Sequence, residues 1–202
     1  MNQNALYAFS YGLFVLMAKD ETMESGCIIN TAGQVTVDPC QITIAINKQN
    51  FTQELLQKTG EFNISILDTS VPFSVFQHFG FQSGRDVDKI GTCPFKLEKA
   101  QNGISYLKEH SKAYMACKVV NQVDLGSHIL FVAEVVEAEV LSEKDAVTYT
   151  YYFANIKPKP ETQKKSGWHC SICGYVYEGE DLPDDFICPI CKHPASDFVK
   201  NS

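Results

Sequence analysis

The stretch WHCSICGYVYEGEDLPDDFICPIC, residues 168–191, carries two Cys-x-x-Cys pairs, Cys170/Cys173 and Cys188/Cys191, with 14 residues between them. Each pair turns tightly and aims two thiolates at one point, so two pairs make a tetrahedral sulfur site suited to zinc or iron. A unit of about 35 residues has too small a core to fold without such a staple. Trp168, Tyr175, Tyr177, Phe186 and Phe198 give it a heavy aromatic load. An apolar shell of that kind keeps water from a metal and tunes its potential. Residues 166–202 hold two lysines against six acids (Glu178, Glu180, Asp181, Asp184, Asp185, Asp197). A nucleic-acid-binding ribbon would be basic; an acidic one suits an electron carrier that docks on a basic partner.

Upstream of this unit lies IKPKPETQKKSG, residues 156–167, with two prolines, four lysines and a glycine. It reads as a stiff, solvated linker between residues 1–155 and a small domain, 168–202. The whole chain has 202 residues and a formal charge of −7. That balance argues against a general nucleic-acid binder, which needs basic surface. No apolar run approaches the roughly 20 residues that span a bilayer, so no membrane role is expected. The N-terminal apolar run lacks a basic leader and a cleavage site, and reads as a strand. Eight cysteines without a secretion signal fit a cytoplasmic, reducing setting. Cys27, Cys40, Cys93 and Cys117 are scattered singly and read as small buried hydrophobes.

Residues 1–155 read mostly as strands. YAFSYGLFVLMA is a long apolar run; QITIAI (41–46) puts Ile42, Ile44 and Ile46 on one face, and FNISIL (62–67) does the same with Phe62, Ile64 and Ile66. ISYL, AYMACKVVNQV, HILFVAEVVEAEVL and VTYTYYF follow as further strands. Runs apolar on both faces predict a barrel or a sheet buried on two sides. Two short helices interrupt them, one capped by Asn50, with Gln53 three residues on, and stopped by Gly60, the other opened by Ser70 and Pro72 and closed by Gly80. No internal repeat and no G-x-G-x-x-G after a strand is evident, so a Rossmann unit is not indicated. The loop before Asn50 carries Lys48, and a helix N-terminus beside a lysine suits an anion. Ser83, Gly84, Arg85 and Lys89 in FGFQSGRDVDKI would suit a phosphate or simply form a solvated loop.

CSICGYVYEGE and LPDDFICPIC closely resemble rubredoxin, which holds one iron on four cysteines. The resemblance implies iron on Cys170, Cys173, Cys188 and Cys191. The spacer is shorter than in free-standing rubredoxins; Phe186 stands where tryptophan is usual, and Lys192 where glycine is usual. Over residues 5–155, GCIINTAGQVTVDPCQITIAIN, NKQNFTQELLQKTGEFNISIL, FGFQSGRDVDK and GSHILFVAEVVE resemble the flavin reductase-like family in order and spacing. The fold so implied is mainly β, an FMN-binding split β-barrel with short helices, plus a small rubredoxin-like domain.

This resemblance places Asn30, Thr31, Ala32 and Gln34 against the flavin ring. It places Asn47, Lys48, Asn50, Phe51 and Thr52 around the ribityl chain and phosphate, with Ser83, Gly84, Arg85 and Lys89 closing the site. His128 would stand near the nicotinamide, or else be a strand-end histidine with a structural bond. Tyr151 and Tyr152 would cover the flavin or pack the barrel. Flavin reductase–rubredoxin fusions imply a path from NADH or NADPH through FMN to iron and on to a flavodiiron protein that reduces oxygen or nitric oxide. A homodimer is implied. Other readings are an NAD(P)H:flavin reductase that releases reduced flavin, a pure carrier reduced by another protein, and a zinc-ribbon interaction module.

Overall fold

The computed structural model describes Ala5 and residues 8–158, 167–172, 174–189 and 193–201. The larger domain opens with β1 (Phe14–Lys19), β2 (Glu24–Ile29), β3 (Ala32–Thr36) and β4 (Gln41–Asn47), then α1 (Phe51–Thr59), β5 (Glu61–Leu67) and α2 (Phe73–Gly80). It continues through β6 (Leu97–Lys99), β7 (Ser105–Leu107), β8 (Ser111–Asp124) and β9 (His128–Val140). It ends in a helical turn, Tyr149–Tyr151, that widens into a π-helical turn, Tyr152–Ile156.

Seven strands form one antiparallel sheet in the order β2-β1-β5-β8-β9-β4-β3. Its edge strands are consecutive in the chain, joined only by Asn30 and Thr31. Laid flat, the two edges of seven strands would be about 29 Å apart, whereas two linking residues span no more than about 11 Å. The sheet therefore rolls up. Thr31 extends the β3–β4 ladder into this link: its carbonyl accepts from the Ala45 amide at 3.0 Å and its hydroxyl donates to the Ala45 carbonyl at 2.6 Å.

The inward faces fill the barrel. Ile42, Ile44 and Ile46 alternate with more exposed residues along β4, as their spacing predicts, and meet Leu16, Phe62 and Phe131. α1 closes one end with Leu55 and Leu56, both fully buried. Asn50 caps it by accepting from the Thr52 amide at 3.0 Å, and Gly60, at φ 70°, ends it in the left-handed region open to glycine. Gln53, three residues on, donates from its side chain to Gln57 at 3.1 Å. Outside the barrel, Val15 and Met17 of β1 pack under Val75, Phe76 and Phe79 of α2.

Several expectations need correction. VTYTYYF is not a strand: the Thr148 hydroxyl accepts from the Tyr151 amide and starts a helical turn, and Tyr152 packs on Phe76 at 4.5 Å between ring centroids. The long N-terminal run gives only the six residues of β1. Polar Asn63 and Ser65 of β5 are buried too, because β7 lies over them. Asn63 donates to the Ile104 carbonyl at 2.7 Å and Ser65 accepts from the Leu107 amide at 3.0 Å. Cys27 and Cys117 are buried as read, but Cys40 is exposed and Cys93 half-buried.

The small domain has three short strands, β10 (Trp168–Cys170), β11 (Val176–Tyr177) and β12 (Phe198–Lys200), in the order β11-β10-β12, with a 3-10 turn at Ala195–Asp197. Among the described residues no helix is long and apolar enough to cross a membrane.

Candidate functional site

In the small domain Cys170 and Cys188 are buried, at 1% and 0% exposure. Their knuckles share a backbone pattern. Cys170 donates to the Tyr175 carbonyl at 2.8 Å, and Cys188 to the His193 carbonyl at 2.8 Å. The bridge His169↔Val176 likewise recurs as Ile187↔Pro194. The domain is thus a repeat at an offset of 18 residues, which the sequence reading missed. Gly174 turns the first knuckle at φ 79°. Cys173, Cys191 and Lys192 lie outside the described residues. Around the thiols stand Tyr175, Tyr177, Phe186 and Phe198, with Phe186 edge-on to Phe198 at 5.3 Å, and Trp168 packs against the same cluster. Two buried thiols, presented by matched knuckles inside an aromatic shell, fit a four-sulfur iron site. His169 bonds Asn201 instead, at 2.7 Å.

In the larger domain Asn47, Lys48, Asn50, Phe51, Thr52, Gly84, Arg85 and His128 gather around the N-terminus of α1. Asn47 pairs with His128 across β4 and β9, and the Lys48 amide donates to the Ser127 carbonyl at 3.0 Å. The ring of His128 lies 2.9 Å from the Ser127 hydroxyl. Lys48 pairs with Asp124 at 2.7 Å and holds that carboxyl below its usual range. Arg85 donates to the Gln49 carbonyl at 3.0 Å, pairs with Glu54 and lies 5.6 Å over the Phe51 ring. Both ion pairs are partly exposed, so each is weak and can yield to a stronger anion. The Ser83 hydroxyl accepts from the Arg85 amide at 3.2 Å.

Below this rim the expected Thr52 lies with a residue that the sequence did not single out, Ser25. Ser25 and Thr52 are both 1% exposed, and their hydroxyls have no hydrogen-bond partner. Gly84 sits so close that a Cβ there would meet the Ser25 hydroxyl oxygen at 2.2 Å and the Phe51 ring at 2.8 Å. Burial pushes the Cys27 thiol up, against the pull of the Lys89 charge. Two cations, a helix N-terminus and two buried hydroxyls without partners fit a phosphate-bearing flavin.

One expected ligand stands differently. Lys89 is 3% exposed, and its ammonium donates to the Gly26 carbonyl at 3.0 Å and the Phe79 carbonyl at 2.8 Å. It stitches the edge strand β2 to the C-terminal end of α2, where helix carbonyls lack partners, and does not face the rim. Gln34 lies along β3 opposite Ile42, with its amide on the Thr36 carbonyl at 3.2 Å. Tyr152 takes the second of its two expected roles and packs in the core. Asn30 and Ala32 are half-buried at the β2–β3 link. A cleft of about 420 Å³ that shares Gly84 and Arg85 with the rim sets Glu24, Asp86 and Asp88 against Arg85, a charge balance unsuited to phosphate.

A flavin reductase like domain model matches residues 6–159, and a rubrerythrin, rubredoxin-like domain model matches residues 168–199. The chain belongs to the flavin reductase-like family and carries a rubredoxin-like domain. It is 36% identical to the high molecular weight rubredoxin of Moorella thermoacetica, over 95% of this chain and 96% of that protein. It is 34% identical to a ferric-chelate reductase (NAD(P)H) of Archaeoglobus fulgidus, over 79% of this chain and 93% of that one. Among solved structures, an FMN-binding protein from Thermus thermophilus is similar at TM-score 0.60 and 25% identity, covering 66% of this chain and 72% of that chain. Flavin and iron are the cofactors the two domains imply, in an electron-transferring oxidoreductase.

Proposed function

We propose that the chain takes electrons from NADH or NADPH on bound FMN, passes them to one iron on Cys170, Cys173, Cys188 and Cys191, and hands them to a redox partner. The observation that carries this reading is the pairing of the two domains on one chain, in the layout of the Moorella relative. FMN accepts two electrons at once and releases them singly, which suits a one-electron iron centre. Lys48, Arg85 and the first turn of α1, with Asn47, Asn50, Phe51 and Thr52, would hold the phosphate and ribityl chain. Asn30, Thr31, Ala32 and Gln34 would line the ring, with Ser83 and Gly84 closing over it. His128 would orient the nicotinamide. Lys89 acts by holding this rim in place.

The acid-rich small domain suits a partner with a basic docking face, and a flavodiiron protein is the acceptor we favour. The protein would act in the cytoplasm. Exposed Val35, Val120, Val123 and Val136 on β3, β8 and β9 suit a homodimer interface.

The relative from Archaeoglobus favours a second reading, reduction of free flavin or of chelated iron by the larger domain. Gel filtration followed by rapid mixing with NADH separates the two. The first reading predicts that flavin stays with the protein and that its band bleaches before the iron band. Flavin that washes off, with iron reduced only when free flavin is added, would favour the second.

A further inference from the structure

The larger domain ends in an aromatic turn. Tyr149 meets Phe153 edge-on at 4.9 Å, and Tyr152 is seated on Phe76. The turn stops at Lys157, whose amide donates to the Tyr152 carbonyl at 2.8 Å. The Lys157 ammonium lies 4.9 Å over the Phe153 ring and donates to the carbonyl of Ser171. Ser171 is in the first knuckle, next to Cys170. It is held there: its amide and hydroxyl both donate to the Asp197 carbonyl, each at 2.8 Å. A side chain at the end of one domain thus touches the metal-binding turn of the other.

We propose that Lys157 docks the iron-binding domain on the aromatic end of its own larger domain, and that its charge there favours the reduced iron. The occupant is the chain's own small domain, because the contact closes over only 14 residues. Across so short a loop the effective concentration is roughly millimolar, so a contact with a dissociation constant of only about 1 mM populates the docked state without locking it. The charge is also complementary, since the small domain has six acids against two lysines.

The electrostatic part rests on the proposed redox role. A four-thiolate iron centre gains one negative charge when it takes an electron. A lysine ammonium beside Cys170 stabilises that charge. Docked, an iron on these cysteines would be the better electron acceptor. Released, it loses the ammonium and gives the electron up more readily to an acceptor.

The test uses the full-length, metal-loaded protein and its Lys157→Gln and Lys157→Glu variants, with Lys99→Gln as a surface control. Small-angle scattering at low salt should show a compact wild type and control, and expanded particles for both Lys157 variants, most of all Lys157→Glu. Identical profiles throughout would overturn the docking, whatever the redox chemistry proves to be. Spectroelectrochemistry of the iron band should give a lower midpoint potential in Lys157→Gln and a lower one again in Lys157→Glu. Expansion without any shift in potential would overturn the electrostatic part. The scattering needs neither flavin nor nicotinamide, so a failed electron path is read separately from failed docking.

Discussion

Replacing Lys89 by methionine separates a structural ammonium from a phosphate ligand. In the structure this side chain has two partners, the Gly26 carbonyl on an edge strand and the Phe79 carbonyl at the end of α2. Methionine keeps most of the stem volume but leaves both carbonyls without their donor. A buried acceptor so orphaned costs about 1–3 kcal/mol, and release from burying a charge returns part of that, so a net loss of about 2–4 kcal/mol is expected. Urea denaturation of the flavin-free protein measures it. Burial lowers the Lys89 pKa. Between that lowered value and the ordinary lysine value near 10.4, the unfolded chain binds more protons, so the wild type gains stability as pH rises and the gap to the variant widens. Flavin affinity of the folded variant should change far less than its stability. Unchanged stability with a tenfold loss of flavin affinity would show that the ammonium faces the ligand, and would refute this assignment.

Other expectations concern the rim, the knuckle and the barrel wall. Lys48→Ala with Arg85→Ala should weaken FMN retention by on the order of 10–100-fold in equilibrium dialysis, as expected for lost charged hydrogen bonds; full occupancy would misplace the phosphate. Gly84→Ala forces a Cβ onto Ser25 and Phe51 and should cost about 1–3 kcal/mol in a urea titration. Gly174→Ala meets no neighbour, but its φ of 79° is strained for a side chain. That strain should cost about 1–2 kcal/mol and appear as faster metal loss to a chelator. Tyr106 stacks on Tyr114 at 3.7 Å, and burial, with the bond to Glu98, pushes its phenol up to about 12. Its stability is therefore full below the ordinary value near 10 and lost as pH rises towards 12, and Tyr106→Phe should flatten that part of the alkaline denaturation curve.

The parts of the fold written in side-chain type were legible. The period-two isoleucines of β4, the Asn50 cap and the Gly60 stop each act through local geometry. What the sequence concealed depends on distant partners. VTYTYYF alternates like a strand, and only the Thr148 cap and the α2 surface turn it into a helix end. Lys89 sits in a loop that reads like a phosphate cradle, yet its carbonyl partners come from two other elements. Ser25 carries no motif and matters only because Gly84 and Phe51 close over it. The knuckle repeat lies in backbone bonds, while its two halves share little beyond the Cys-x-x-Cys pairs.

An anaerobic titration with NADH, following the flavin and iron–thiolate bands together, tests the central claim most directly. Two electrons per flavin and one per iron require about 1.5 equivalents of NADH per chain, with both bands bleached at the end point. An iron band that stays at full intensity in excess NADH, beside a flavin fully reduced by about 1 equivalent, would contradict electron transfer between the two domains.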